Sequence, residues 1–327
     1  MTDRTVAVLA GGLSHERDVS LRSGRRLSSA LRDVGLHVDE WDVDAKLVGR
    51  LTGSRPDAVV VALHGGAGEN GAVQSVLEML RVPHVGTGSR ACRRAWDKPT
   101  AKDELARAGL TTPDWMALPH AIFRDLGAQG VLDALVARLG LPLILKPDQG
   151  GSALGVHVVR EVAELPGAMV SCLAYGDTVL AEKFVEGVEV AVTVVDEPDG
   201  PRALPAVEIE AKSGFYDYAA RYTAGLATFH APARLAAPAA AAVADLAVGA
   251  HQLLGLRDVS RTDAVVTPDG VAHFLEVNVA PGLTETSLLP MAIESDGGEL
   301  GAVFADLIER AVTRASHPWD PRSGDRL

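Results

Sequence analysis

The sequence predicts an α/β protein: an open parallel sheet at the N-terminus and more mixed, α+β structure towards the C-terminus. Three observations carry this. "TVAVLAGG" and "DAVVVALHGG" are short apolar runs ending in glycine, the pattern of buried parallel strands. Helical spacing follows each run: Leu27, Ala30, Leu31 and Val34 mark a helix over about 17–33, and "AVQSVLEMLRV" reads as another. Strands alternating with helices, with glycine at the strand ends, indicate an open sheet whose ligands gather at the carboxyl ends of its strands. "GGLSHERDVS" and "HGGAGENGA" fall at those ends.

The remaining elements follow in order. "HVDEWDV" alternates like a strand and completes a first unit over residues 1–87. A second unit, 88–181, has one basic helix around "RACRRAWDKPTAKDELARAG", a strand "LPLILKP", a glycine loop "DQGGSALG" and a strand "VHVVR". A third unit, 182–327, carries several strands, a polar loop at about 212–230, an Ala-rich helix, the segment "FLEVNVAPG" and a last helix near 299–315. "HPWDPRSGDRL" reads as a loose tail.

With 327 residues, 47% apolar and 23% charged, the composition is that of a soluble enzyme of two or three domains. The net charge of −12 argues against nucleic acid or an anionic membrane as partner. Cys92 and Cys172 lie far apart and form no C-x-x-C unit, so structural zinc and a disulfide framework are not expected. The first residues are too weakly apolar for a signal peptide, and Asp245 and His251 interrupt the Ala-rich stretch, so the expected location is the cytoplasm.

Within "FLEVNVAPG", Glu276 and Asn278 stand two apart, and a strand aims such side chains at one face. Arg261 and Asp263 in "VSRTDAVVT" do the same, so pairing of the two strands would bring Asp263, Glu276 and Asn278 together. Two carboxylates about 4 Å apart repel by roughly 4 kcal/mol at an effective dielectric of 20. An oxygen-only ligand set relieved by Mg²⁺ fits, and so does an edge strand with solvated polar residues. Lys146 before the glycine loop suits phosphate, as an ordinary hairpin turn would also explain. Glu182, Lys183 and Glu189 suit a nucleotide or a solvated strand pair. Glu16 at a strand-to-helix turn suits a substrate ammonium or the helix dipole. His64 in its glycine loop fits a satisfied loop histidine, and no G-x-S-x-G elbow supports serine hydrolysis.

Taken in order over about residues 5–315, "GGLSHERDVSLRSG", "LHGGAGENGAVQSVLE", "GLPLILKPDQGGSALGV", "FYDYAARY", "RTD" and "EVNVAPGLTETSLLP" resemble the motifs of the D-alanine–D-alanine ligases, members of the ATP-grasp superfamily. The resemblance implies an ATP-grasp fold, a homodimer and a small-molecule ligase using ATP and Mg²⁺, with two ions and Mn²⁺ as a substitute. It implies that Lys98, Lys146, Glu182, Lys183, Val185 and Glu189 bind ATP, and that Asp263, Glu276 and Asn278 hold the metal. Glu16 would take the first substrate's ammonium, with Ser152 and Tyr222 hydrogen-bonding around it and locking a lid at about 212–230. Arg261 and Gly282 would stabilise an oxyanion, and His64, Arg221, Ser287 and Leu288 would bind substrate.

The implied reaction forms an acyl phosphate and then a dipeptide, for peptidoglycan precursor synthesis. Four positions depart from the family's pattern: Arg221 where lysine is common, Ala153 in place of a loop serine, Val279 in place of threonine, and no arginine in "HGGAGENG". Tyr222 favours an amine nucleophile, and His230 reads as structural. The departures motivate an alternative, a paralogous ligase with another second amino acid. A more distant one is a non-catalytic nucleotide-binding protein, which would not need Arg261.

Overall fold

The computed structural model of the chain describes residues 4–212, 214–223 and 225–316, and leaves the side chains of Ala219 and Tyr222 undescribed. The expected tail lies outside these residues, as does the side chain expected to lock the lid. Among the described residues, no helix is long and apolar enough to cross a membrane.

The first sheet is parallel, with strand order β2-β1-β3-β4: β1 (Thr5–Ala10), β2 (His37–Asp42), β3 (Ala58–Val61) and β4 (His84–Val85). Helices α1 (Arg17–Asp33), α2 (Leu47–Ser54) and α3 (Ala72–Met79) connect them. From Val6 to Leu9 every side chain of β1 is fully buried, as expected for an apolar run covered on both faces.

The expected basic helix is two helices, α4 (Ser89–Trp96) and α5 (Lys98–Arg107). The break has a local cause. Asp97 is extended, its carboxylate accepts the Thr100 N–H at 2.8 Å, and proline follows at the start of α5. A proline is tolerated in a first helical turn and not in a helix interior.

The second sheet is antiparallel, with order β5-β8-β6-β7. It contains β5 (Trp115–Pro119), β6 (Leu143–Pro147), β7 (His157–Val159) and β8 (Thr178–Lys183), with helices α6 (His120–Leu126), α7 (Ala128–Leu139) and α8 (Leu165–Leu173). Strand β8 pairs through Glu182 with β5 and through Lys183 with β6, so a boundary between 181 and 182 runs inside a strand.

The third sheet runs β12-β11-β9-β13-β14, with β10 paired to β9. Its strands are β9 (Val188–Glu197), β10 (Gly200–Ala203), β11 (Val207–Ala211), β12 (Ala227–His230), β13 (Val259–Val266) and β14 (Ala272–Asn278). Helices α9 (Tyr218–Tyr222), α10 (Ala237–Leu253), α11 (Leu288–Ser295) and α12 (Leu300–Ala315) complete the chain. The polar segment 212–230, expected as a loop, contains α9 and β12, and His230 is tied to Glu210 at 2.9 Å on this edge. Helix α12 packs back on α1, β3 and β4, and its Phe304, Leu307 and Ile308 share a core with Val6, Val8, Leu27 and Leu31.

Candidate active site

Strand β13 lies between β9 and β14, and all eight of its residues are buried, Arg261 and Asp263 included. It pairs with β14 so that Arg261 stands opposite Asn278 and Asp263 opposite Glu276. The expected pairing of the two polar strands is therefore present, with a register shift immediately after Asp263. Arg261 forks Asp263, Nε to Oδ1 at 2.7 Å and Nη2 to Oδ2 at 2.9 Å. Asn278 folds its Oδ1 back to the Ala280 N–H at 2.8 Å. Burial pushes the Glu276 carboxyl up, but Lys98, Lys146, Arg221 and Arg261 together hold it down to about 2.

Two pockets flank this strand pair. The smaller, about 120 Å³, lies against the first sheet, and the larger, about 740 Å³, opens between the second and third sheets. They share a wall made by Lys98, Gly150, Gly151, Tyr216, Arg221 and Glu276.

Glu16, at the N-terminus of α1, enters the smaller cavity, and its carboxylate accepts the Ser152 hydroxyl from the glycine loop of the second unit. Ser152 and its neighbour Ala153 have φ of 55° and 56°, the left-handed region that costs a non-glycine residue about 1 kcal/mol. The loop before α1 is anchored: the Ser14 hydroxyl donates to the His64 carbonyl at 2.6 Å, and the Gly12 N–H donates to Asp42 at 3.0 Å.

His64 lines the same cavity, yet both ring nitrogens are engaged by protein atoms. Nδ1 lies 3.0 Å from the Ala280 carbonyl and Nε2 2.8 Å from Ser23 Oγ. A carbonyl only accepts, which assigns the proton to Nδ1. Burial lowers the pKa of this imidazole to about 4, so it is neutral at pH 7.

Gly282, Ser287 and Leu288 line the opposite side, where Ser287 occupies the N-cap position of α11. A side chain on Gly282 would press on Ser287 Oγ at 2.7 Å. Arg26 of α1 donates to the Thr284 carbonyl at 2.5 Å and ties this segment to the first unit.

The larger pocket is lined by Lys98, Lys146, Glu182, Lys183, Val185 and Glu189, together with Asp263 and Glu276. Lys98 donates to the Gly150 carbonyl at 2.7 Å and lies 3.6 Å from Glu276. Glu182 lies between Lys102 and Lys146. Arg221 stacks over the Tyr216 ring at 4.5 Å, and Tyr216 meets Phe229 edge-on. Val279, one of the departures, is buried in the apolar core beneath the third sheet.

A divalent cation fits the donor set. Asp263, Glu276 and Asn278 offer only oxygens, and each carboxylate oxygen keeps a lone pair beyond its present contacts. Burial raises the nearby Glu189 to about 7, with Arg221 opposing and the charges of Asp263 and Glu276 adding to the rise.

Four residues with evident positions in these pockets were not singled out in the sequence. Glu69 accepts the Gly65 N–H at 2.8 Å in the smaller cavity, Trp96 donates to Gln149 at 3.1 Å across its rim, Tyr216 supports Arg221, and Lys102 lies behind Glu182. Glu69 stood inside a quoted motif, and Lys102 four residues after Lys98 gave a helical-spacing signal.

Known proteins resemble this chain along nearly its whole length. The family described as D-ala D-ala ligase C-terminus matches residues 105–312. A D-alanine–D-alanine ligase of Anaeromyxobacter sp. (strain K) is 41% identical over 315 residues, 96% of this chain and 98% of the relative. The structure of D-alanine–D-alanine ligase from Bacillus anthracis complexed with ATP superposes with a TM-score of 0.79 at 26% identity, covering 95% of this chain and 98% of that one. That of the VanG D-Ala:D-Ser ligase from Enterococcus faecalis gives 0.80 at 26% identity, covering 95% of this chain and all of that one. The fold is that of the ATP-grasp ligases, and the chain belongs to the D-alanine–D-alanine ligase family.

Proposed function

We propose that this protein joins two D-alanine molecules to D-alanyl-D-alanine, converting ATP to ADP and phosphate through an acyl phosphate, as a cytoplasmic step of peptidoglycan precursor synthesis. The observation that carries the reading is the shared wall. A roomy cleft lined by lysines meets a small polar cavity at Lys98, Arg221 and Glu276, where a phosphoryl group can pass from one to the other. Kinship at 41% identity over nearly the whole chain supports it.

ATP occupies the larger cleft against Lys98, Lys146, Lys183, Val185 and Glu189, with Glu182 orienting the lysines behind it. Mg²⁺, held by Asp263, Glu276 and Asn278, supplies neutralisation of phosphate charge when bound; the family's pattern is two ions, with Mn²⁺ as substitute. Glu16, steadied by Ser152, receives the ammonium of the first D-alanine. The carboxylate of that first D-alanine takes the γ-phosphoryl group and ADP leaves, with Arg221 facing the transferred charge. The neutral amine of the second D-alanine attacks the acyl carbonyl, Arg261 and the Gly282 N–H stabilise the tetrahedral oxyanion, and its collapse forms the peptide bond as phosphate and the amine's proton leave. The second carboxylate lies at Ser287 and Leu288, at the N-terminus of α11. His64 holds neighbouring segments in place from the cavity wall. Segment 212–230, with Tyr222, closes over the acyl phosphate and excludes water.

Three units carry this arrangement: a substrate unit to about residue 87, a central unit ending after Lys183, and a C-terminal unit. α12 lies on the first sheet. The working state is a homodimer.

The test is phosphate release from ATP and Mg²⁺ with D-alanine as sole amino acid, and detection of the dipeptide by mass. D-serine, D-lactate and L-alanine complete the panel. Turnover only with another acceptor would establish a ligase of different second substrate, the reading that Arg221 in place of lysine favours. ATP binding without phosphate release on any substrate would refute both.

A further inference from the structure

Helix α5 carries two buried lysines one turn apart. Lys98 reaches the shared wall, but Lys102 has no exposed surface at all. Its ammonium lies 2.6 Å from Thr112 Oγ1, 3.2 Å from the Phe274 carbonyl and 2.5 Å from Glu182 Oε1. Thr112 Oγ1 and the Phe274 carbonyl accept two of its three protons, and Glu182 Oε1 faces the charge as an ion pair. Without exposed surface, Lys102 does not reach a ligand.

The second oxygen of Glu182 lies 2.6 Å from Lys146 Nζ, and Lys146, unlike Lys102, lines the cleft. Two ammonium groups and one carboxylate leave one positive charge in excess (2 − 1 = 1). The buried end of this chain is closed to the cleft, so the excess stands at the Lys146 end, where the carboxylates of Glu276 and Asp263 also act on it. Burial lowers the Lys102 pKa to about 8, with Glu182 opposing, so the ammonium persists at neutral pH.

We propose that Lys102 is a positioning residue that neutralises Glu182 from behind, so that Lys146 presents an unspent positive charge to the phosphates of the nucleotide. This rests on the ATP reading above. Without Lys102, the buried carboxylate would draw Lys146 into a closed neutral pair and blunt its pull on phosphate.

The test is calorimetric binding of ATP and of adenosine to the full chain, with melting temperatures checked in parallel. Lys102→Gln keeps an amide able to donate to Thr112 and Phe274 but removes the charge. Its expected effect is at least a ten-fold weaker ATP affinity and less than a three-fold change for adenosine. The conservative variant Lys102→Arg keeps a positive charge beside Glu182 and should hold ATP affinity to within about three-fold of wild type. Should Lys102→Gln not fold, Lys102→Arg still decides: a loss of ATP affinity above ten-fold there, at an unchanged melting temperature, overturns the proposal. Equal weakening towards ATP and adenosine would mean a merely structural role and would also overturn it, as would wild-type ATP affinity in Lys102→Gln. A wild-type chain that binds no ATP fails the ATP reading and this inference together. One that binds ATP while the variants behave alike fails the inference only.

Discussion

Glu69 in the smaller cavity and Glu182 in the larger cleft are almost equally hidden, at 6% and 2% exposure, yet they carry different charges near neutral pH. Burial raises the Glu69 carboxyl to about 8, with the nearby Glu16 charge adding to it and one backbone N–H opposing. Burial pushes Glu182 upward too, but Lys102 and Lys146 lower it below its ordinary value. The difference teaches that depth does not decide ionisation here. The wall of the smaller cavity holds its acid with a backbone dipole, and the floor of the cleft holds its acid with two cations, so one region stores a proton and the other stores a charge.

Glu276, on the wall both regions share, gives the sharpest break. Glu276→Gln should lower turnover by roughly 10³-fold or more, the several kcal/mol expected when a charge that holds phosphate and metal is lost, while leaving the circular dichroism spectrum and melting temperature near wild type. Near-normal turnover would remove this residue from the chemistry.

The comparison itself is tested next. Glu182→Leu leaves Lys102 buried without a counter-charge, and breaking such a pair costs about 3–5 kcal/mol in urea unfolding. Glu69→Gln replaces an acid that must take up a proton to fold with an amide that need not, and should stabilise the fold at pH 7 by up to roughly 3 kcal/mol. Equal costs for the two variants would mean that both acids are in the same charge state.

Glu69 also predicts a slope. Its folded pKa, about 8, lies above the unfolded value of 4.5, so between those values the folded state binds more protons and stability falls as pH rises. Wild type should lose up to about 1.4 kcal/mol per pH unit relative to Glu69→Gln over pH 6 to 8. Parallel curves for the two proteins would contradict the assignment. The smallest effect belongs to the rim. Trp96→Phe removes the hydrogen bond to Gln149, and the KM for ATP should rise by no more than about five-fold, in keeping with about 1 kcal/mol for one partly exposed bond.

The parallel sheet was legible because β1 and β3 are apolar runs with glycine at their ends, and burial on both faces leaves that pattern no alternative. The two-residue spacing showed that Glu276 and Asn278 share a face, as do Arg261 and Asp263, while the pairing that sets Asp263 opposite Glu276 came from the fold. What spacing could not convey was that Asp263 lies in the fork of Arg261, since a contact within one strand depends on rotamers. The break at Asp97 was missed because the basic residues on either side continue a helical pattern, although the Asp-Lys-Pro sequence carries the signal. Lys102 reads in sequence as a solvated lysine on a charged helix; only the approach of β8 and β14 makes that face interior. Glu69 lies in a motif that drew attention to its histidine, and nothing local marks it as protonated.

The last helix has a consequence for biosynthesis. α12 covers β3 and β4, Arg4 holds Glu309 at 2.6 Å, and Gly301 lies so close to the Ala30 backbone that no larger residue would fit. The first unit to leave the ribosome therefore waits, with Leu27 and Leu31 uncovered, until residues near 308 have been made. Its apolar face stays incomplete through most of translation, because the core it belongs to also draws on Val195, Val207 and Ile209 of the third sheet.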